Sequence, residues 1–491
     1  MASRLKVLTE QVITTPALSD LLAHPDFGAA LRDSLAASCN VSLTHQCIAC
    51  FVQDNRQRVV KPPNPTGKAG EHAFGQAPEP LVRISLMFRI LPVDVSPMTR
   101  EQTVAENSGR ILVVPFRWPA TIDDPGASAS TETMTLAYEM RIDLEWWRED
   151  KCTITFRTNP DFDPDFRSTR DNSIQPLGFS WRCFLDSLAS LHQLDSNTQA
   201  PPRSRAHVPM LLGTHEATRL TAAIGRIQEE IDQGGCYLVN LTTVVPLQPE
   251  ALATSPEAFL GRWGRSPSRF GWYLNTPLCA LESYSPERHF KITNGIISTE
   301  PIKGTVVLSD KTQGGDVLDP TAFIEAASKL WESEKERCEQ HLVIDLLRND
   351  LASVCKSGTV AVVSPLEVRF CSGLGQMTSV IAGSLQPNLS MATLLERLLP
   401  AGSVTGAPKK AVCSLLQSLE TQPRGLYCGI CLDAESPERM DATLLIRTLF
   451  RAEERTWAGT GAGITALSDP RAEVEEMERK LASFLARCTD A

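Results

Sequence analysis

Two pairs of glutamates are the first residues in this chain whose spacing suggests chemistry. Glu336 and Glu339 stand three apart in EKERCEQH, and Glu473 and Glu476 stand three apart in AEVEEMER. Residues at i and i+3 project from one face of a helix, so two such helices facing each other would gather four carboxylates. Oxygen donors of this kind suit a hard divalent cation such as Mg2+, which keeps several of its waters. The competing reading is a solvated acidic surface, because both segments hold further glutamates.

A lysine and a fifth carboxylate add a second possibility. Lys303 lies in PIKGT, and Glu287 lies upstream in SPER, across a hairpin expected from HFKITN and GIIST. An amine desolvated at a cavity wall can lose its proton and act as a nucleophile. A carboxyl beside it can protonate a leaving hydroxyl. A plain surface lysine is the ordinary alternative. The run GTGAGIT places Gly459, Gly461 and Gly463 in alternation, but a dinucleotide loop would open a helix after a strand, and here Ile-Thr-Ala-Leu follows. Backbone that must approach a ligand closely and offer bare amides fits better; a tight turn is the plain alternative. GSVTGAPKK (402–410) fails the phosphate-loop pattern, since no lysine directly follows its second glycine.

The elements that would position these groups follow from apolar periodicity. Leu220, Ile224, Ile227 and Ile231 predict a helix that Gly234–Gly235 stops. A strand is expected at YLVNLTTVV, and strand pairs at RFGWYLN, HFKITN and GIISTEPIKG. One long helix from about 320 to 355 would carry the first acid pair. The second pair would sit on a final helix capped by Asp469, with Pro470 in its first turn. Before residue 200, LVRISLMFRILPV and KCTITFRT read as strands between loops such as KPPNPTGKAGEHAFGQAPEP and DDPGASAST, and 195–209 reads as a connector. Mixed order with several hairpins predicts an α+β fold and not a doubly wound sheet.

Bulk properties narrow the partners. A net charge of −10 argues against nucleic acid, although an Arg, a Lys and a cation in one pocket would still hold a small anion. No apolar run reaches the length of about 18 residues that spans a bilayer, and MASRLKVLTEQVITTPALSD lacks the apolar core of a signal peptide. A cytoplasmic protein without a membrane segment is expected. The 14 cysteines include Cys47 and Cys50, with His45 nearby, and Cys428 and Cys431. These pairs lie far apart in the chain, so buried reduced thiols are expected in preference to zinc.

The ordered set SPER, PIKGT, EKERCEQHLVIDLLRNDL, LPAGSVTGAPKK, RGLYCGI, LLIRT and GTGAGITALSDPRAEVEEMERK resembles the chorismate-utilising enzymes: anthranilate, aminodeoxychorismate, isochorismate and salicylate synthases. The resemblance is strong over about 215–487 and general before it. It implies an α+β fold with a large two-sheet, β-sandwich-like core, helices outside and the active site between the sheets. Residues 1–205 would form the N-terminal region and 206–491 the chorismate-binding catalytic domain. Glu336, Glu339, Glu473 and Glu476 would hold Mg2+, which binds the ring carboxylate of chorismate. Arg447 and Tyr427 would hold the carboxylate of the enolpyruvyl arm. Thr405, Gln376, Lys480 and the backbone of Gly461, Ala462 and Gly463 would complete the substrate site.

Within the family, the lysine of PIKGT resembles the aminodeoxychorismate synthases of the component I type; anthranilate synthases usually carry alanine there. That resemblance implies that Lys303 adds to ring carbon 2 while the carbon 4 hydroxyl leaves with a proton from Glu287. Ammonia then attacks carbon 4 and expels the lysine. The chain shows no recognisable glutamine amidotransferase module, so a separate glutaminase subunit or free ammonia is implied as the source. Five positions depart from the family pattern: Gln376 where histidine is frequent, Glu300 where a basic residue is usual, Leu238 where glutamine is common, and Gln340 and His341 after the second metal glutamate. An extended strand puts residues 300 and 303 on opposite sides, so Glu300 need not touch the lysine. The alternatives are an anthranilate synthase large subunit, a secondary-metabolism paralogue, a non-catalytic subunit that binds chorismate or a partner, and, more distantly, a dinucleotide oxidoreductase.

Overall fold

The computed structural model describes residues 6–14, 47–54, 58–62, 79, 82–97, 110–116, 132–148, 151–158, 211–276, 279–308, 320–371, 374–436, 438–452 and 454–488. The expected connector at 195–209, the DDPGASAST loop and His45 lie outside them. The first described elements are strands: β1 (Lys6–Thr14), β2 (Cys47–Asp54), β3 (Arg58–Val60), β4 (Val82–Pro97), β5 (Arg110–Val114), β6 (Glu132–Arg148) and β7 (Lys151–Thr158). Then come α1 (Gly213–Asp232), β8 (Leu238–Leu247), α2 (Pro256–Arg265), β9 (Phe270–Asn275), β10 (Ala280–Ser283), β11 (Arg288–Thr293), β12 (Ile296–Glu300) and β13 (Ile302–Val307). The chain continues through α3 (Pro320–Glu332), α4 (Glu334–Val354), β14 (Ala361–Cys371), β15 (Leu374–Ser384), α5 (Met391–Leu398), β16 (Gly406–Ala407) and α6 (Lys409–Leu419). It closes with β17 (Ile430–Ser436), β18 (Arg439–Leu444), β19 (Thr448–Ala452), β20 (Arg455–Ile464) and α7 (Pro470–Cys488).

Antiparallel pairing builds two large sheets. One runs β1-β7-β6-β4-β2-β9-β10-β19-β20-β8-β16. The other runs β5-β17-β18-β11-β12-β15-β14-β3, with β13 beside β15. β6 belongs to both, because it pairs with β4 along one edge and with β7 and β5 along the other. Strands from before residue 200 therefore enter the same sheets as strands from after it. Phe51 of β2 stacks on Trp272 of β9 with ring centroids 4.4 Å apart, and both side chains are fully buried. Each contributes about 1.5–3 kcal/mol by leaving water.

Helices cover the sheets through the faces their periodicity predicts. Leu220, Ile224 and Ile227 of α1 are buried in a core that also holds Phe259 and Trp263 of α2 and Leu481 and Phe484 of α7. The chain leaves α1 through Gly234, at φ 77°. A second core draws Phe51, Trp272, Phe290 and Leu432 from both sheets and Val343 and Leu347 from α4. A third lies under α3, where Phe323 and Leu330 meet Phe370 and Met377. Among the described residues no helix is long and apolar enough to cross a membrane.

One local expectation is corrected. The single helix expected from about 320 to 355 is two, α3 and α4, broken at Ser333. That hydroxyl caps α4 by accepting from the Glu336 backbone N–H at 3.4 Å. A serine three residues ahead of a glutamate is a helix-start signal, and the apolar run across it obscured it. The glycine run 459–463 belongs to the extended strand β20, which excludes the plain alternative of a tight turn.

Candidate functional site

The two acid pairs occupy the starts of α4 and α7. Asp469 caps α7 as expected, its Oδ1 accepting from the Ala472 N–H at 2.8 Å. Lys335 links the pairs: its Nζ lies 2.6 Å from Glu473 Oε1 on α7 and 4.0 Å from Glu339 Oε1 on α4. Glu476 takes its own cation, Lys480, at 2.8 Å. Burial raises Glu336 and Glu339 above the usual carboxylate range; Glu476 repels Glu336, and Glu336 repels Glu339. Burial also opposes ionisation of Glu476, but Lys480 outweighs it and holds that carboxyl low. The donors match a hard cation in chemistry and converge from two helices. Among the described residues, however, no three acidic, His or Cys side chains are grouped as ligands of one ion, and Glu473 is turned toward Lys335.

Lys303 reaches the same place from β13. A β-carbon on Gly463 of β20 would stand 3.1 Å from Lys303 Nζ and 3.4 Å from Glu339 Oε2, so amine and carboxylate share the space that this glycine leaves. The following residue, Gly304, has φ 76° and packs against Glu336, whose Oε2 would lie 2.8 Å from a β-carbon there. PIKG thus needs its glycine twice over, for its left-handed backbone and for contact with an acid. Leu238, where glutamine is common in the family, also lies against Gly463, with Cδ1 3.5 Å from that β-carbon position.

Glu287 is buried just ahead of β11. Burial pushes its carboxyl up to about 7, against the lowering effects of a hydrogen bond from Ser403 and the charge of Lys303. The expected meeting of Glu287 and Lys303 is therefore present as an electrostatic neighbourhood. Glu300 does not take part in it. Its carboxylate is held by Arg269 at 2.8 Å and by Arg288 and Arg369.

The expected substrate-binding residues lie around β20. β19 pairs with β20 only as far as Ala458, so from Gly459 to Ile464 the ladder bonds β20 along one edge, to β8. Gly459 packs on the Tyr427 ring and Gly463 on Lys303. Residues 459, 461 and 463 share one face of a strand, so bare backbone lines the stretch between phenol and amine. Lys480 donates to the Gly461 carbonyl at 3.3 Å. Tyr427 is buried, and its segment lies beside that of Arg447: the Cys428 N–H donates to the Leu445 carbonyl at 3.0 Å. Cys428 and Arg447 both adopt left-handed backbone, at φ 66° and 52°, a conformation that costs energy in non-glycine residues and clusters at functional sites. Thr405 is buried; its hydroxyl donates to the Ala401 carbonyl at 2.9 Å, and its own carbonyl accepts from the Asn240 N–H at 2.7 Å. Gln376 pairs with Thr305 on β13, while Met377 stands opposite Lys303.

A carboxylate nest, an amine, a raised carboxyl and a bare strand thus meet at one place. Residues 180–486, well over half of the chain, match the family model described as chorismate binding enzyme. This chain belongs to the chorismate-binding enzymes.

The enzyme is 30% identical over 320 residues to aminodeoxychorismate synthase component 1 of Salmonella typhimurium, covering 62% of this chain and 68% of that one. It is 32% identical over 260 residues to the Escherichia coli protein of the same name, covering 53% and 55%. Against the aminodeoxychorismate synthase of Streptomyces pristinaespiralis it is 32% identical, but it spans 37% of that longer chain and 56% of its own. The fold is shared with anthranilate synthase component I of Streptococcus pneumoniae, at a TM-score of 0.53 and 21% identity over 79% of this chain and 82% of that one. It is also shared with the menaquinone-specific isochorismate synthase of Escherichia coli, at a TM-score of 0.57 and 16% identity over 99% and 96%.

Sequence reasoning missed several residues that position or border these groups. Ser403 lies in GSVTGAPKK and is near enough to Glu287 to lower its carboxyl. Lys335 sits between the acid pairs, where its position beside Glu336 was the available signal. Arg424 is buried and donates to the Val404 and Asn240 carbonyls at 2.7 and 3.0 Å, locking the 402–405 segment to β8. Lys409 ties α6 to α4 through Asp350 at 2.7 Å.

Proposed function

We propose that this enzyme aminates chorismate at carbon 4 in the cytoplasm and releases 4-amino-4-deoxychorismate, which leads to 4-aminobenzoate and folate. The observation that carries the reading is that Lys303 Nζ and Glu339 Oε2 both lie against the bare α-carbon of Gly463, with Glu287 close enough for its carboxyl to feel the lysine charge. In the proposed reaction, the Lys303 amine bonds ring carbon 2 as the carbon 4 hydroxyl departs. Glu287, neutral below about 7, gives its proton to that hydroxyl, which leaves as water. Ammonia then bonds carbon 4, and the electron pair returns to Lys303 as the bond to carbon 2 breaks. Splitting the substitution into two steps spares the enzyme a direct displacement of hydroxide. Glu336, Glu339, Glu473 and Glu476 would hold Mg2+, which when bound would neutralise the ring carboxylate and act as a Lewis acid. Arg447 and Tyr427 would orient the enolpyruvyl carboxylate, and the β20 amides would face the substrate. The component 1 names of the relatives support a separate glutamine amidotransferase subunit as the ammonia source.

The test is incubation with chorismate, Mg2+ and ammonium, followed by mass analysis. The expected product carries an amino group in place of one hydroxyl and retains the enolpyruvyl arm. Fluorescent anthranilate formed without an added lyase would rule out amination at carbon 4.

A further inference from the structure

Gln340 follows Glu339 on α4, and its side chain is fully buried. Its Nε2 donates to the Pro301 carbonyl at 3.3 Å and to Ser379 Oγ at 3.0 Å. Pro301 has no N–H, and the ladder is interrupted there: β12 pairs with β15 at 381–384 and β13 pairs with it at 374–378. In place of ladder bonds, the Pro301 carbonyl is gripped by three donors, with Thr378 Oγ1 at 3.0 Å and the Ser379 N–H at 3.4 Å joining Gln340. Among the described residues, Gln340 Oε1 has no hydrogen-bond partner. An apolar side chain of this shape would leave no buried oxygen unpaired, so packing alone does not account for an amide here.

We infer that Gln340 is a positioning residue for Lys303. Its amide joins the helix that carries Glu336 and Glu339 to Pro301, the residue just ahead of the strand that carries the lysine, and to Ser379 on the strand beside it. The bond lies one residue from Glu339 and two from Lys303, whose side chains both lie against Gly463. It sets the distance between the amine and whatever the acids hold.

This inference rests on Lys303 acting at the substrate as proposed above. The test replaces Gln340 with methionine, similar in shape but without a donor, and makes two measurements. In steady-state amination with ammonium, kcat should fall on the order of tenfold or more. The KM for chorismate should stay within about twofold, because substrate binding is not what is lost. Adding Gln340→Met to Lys303→Ala should slow the residual rate no further. In the second measurement, acetic anhydride labels the free protein, and the ratio of Lys303 to Lys480 acetylation is read by peptide mass spectrometry without turnover. That ratio should shift from the parent value. A variant that lowers the melting temperature but keeps the parent kcat and labelling ratio would overturn the inference. If Gln340→Met fails to fold, Thr378→Val removes a second donor to the same carbonyl and should give the same split, smaller in size. A parent enzyme that turns over no chorismate would defeat the amination reading instead, and the labelling ratio would then decide the positioning role alone.

Discussion

Glu300 and Lys303 are three residues apart, and their surroundings treat charge in opposite ways. Around Glu300, Arg269, Arg288 and Arg369 meet one carboxylate, and Asp441, Glu367 and Glu79 supply further partners to these arginines and to Lys291. Burial works against ionisation there, but the guanidinium groups hold Glu300 well below the usual carboxylate range and Glu79 at about 2. Around Lys303 the balance is not closed. Glu287, Glu336 and Glu339 are all raised by burial that the nearby cations only partly offset. Paired buried charge fixes a fold, whereas buried acids in excess leave a site that still has cation and proton affinity to offer.

Substitutions can break this comparison. Lys303→Ala should reduce amination at least about 10³-fold and leave the melting temperature near the parent value; equal rates would end the covalent role. Glu287→Gln should cost roughly 10²–10⁴-fold in kcat, the range for a lost general acid. The parent's rate should decline as pH rises through about 7, where Glu287 loses its proton, and the Gln variant should lack that limb. The folded value lies above the ordinary 4.5, so the stability linked to this proton is complete below about 4.5 and is lost as pH rises through 7. Glu300→Gln should instead act on the fold, destabilising it by about 3–5 kcal/mol in chemical denaturation because three arginines lose their carboxylate. Its linkage has the opposite sign: the parent keeps the Glu300 contribution above the ordinary carboxylate range and loses it as acid passes down through the depressed value. The smallest effect is expected from Gly463→Ala. The new methyl would press on Lys303 and slow the reaction on the order of tenfold, with a stability change under about 1 kcal/mol.

How far the site was legible depended on the range of the signal. The acid pairs could be read because i, i+3 spacing is a property of one helix, and the Asp469 cap because it acts within one turn. Glu287 and Lys303 could be brought together because one hairpin lies between them. The surroundings of Glu300 could not be read, since residues 269, 288 and 369 come from separate strands whose register no local pattern states; only its freedom from Lys303 was foreseeable. The same holds for β2 beside β9 and β5 beside β17, where strands from the first part of the chain complete sheets of the second. Gln340 could be flagged as unusual, but its grip on Pro301 exists only once α4 lies across that strand. Ser333 is a legible start signal three residues ahead of Glu336, but the surrounding apolar spacing suits one continuous helix equally well.

That interruption makes the two carboxylates of α4 unequal. A helix that begins at residue 334 turns its unsatisfied amides, and the partial positive pole they form, toward its first turn, and the effect fades within that turn. Glu336 sits inside this field and Glu339 at its margin. An uninterrupted helix from residue 320 would have spent the pole some four turns away. The electrical polarity of the backbone thereby falls unevenly on two side chains of identical chemistry, favouring negative charge more at Glu336 than at Glu339.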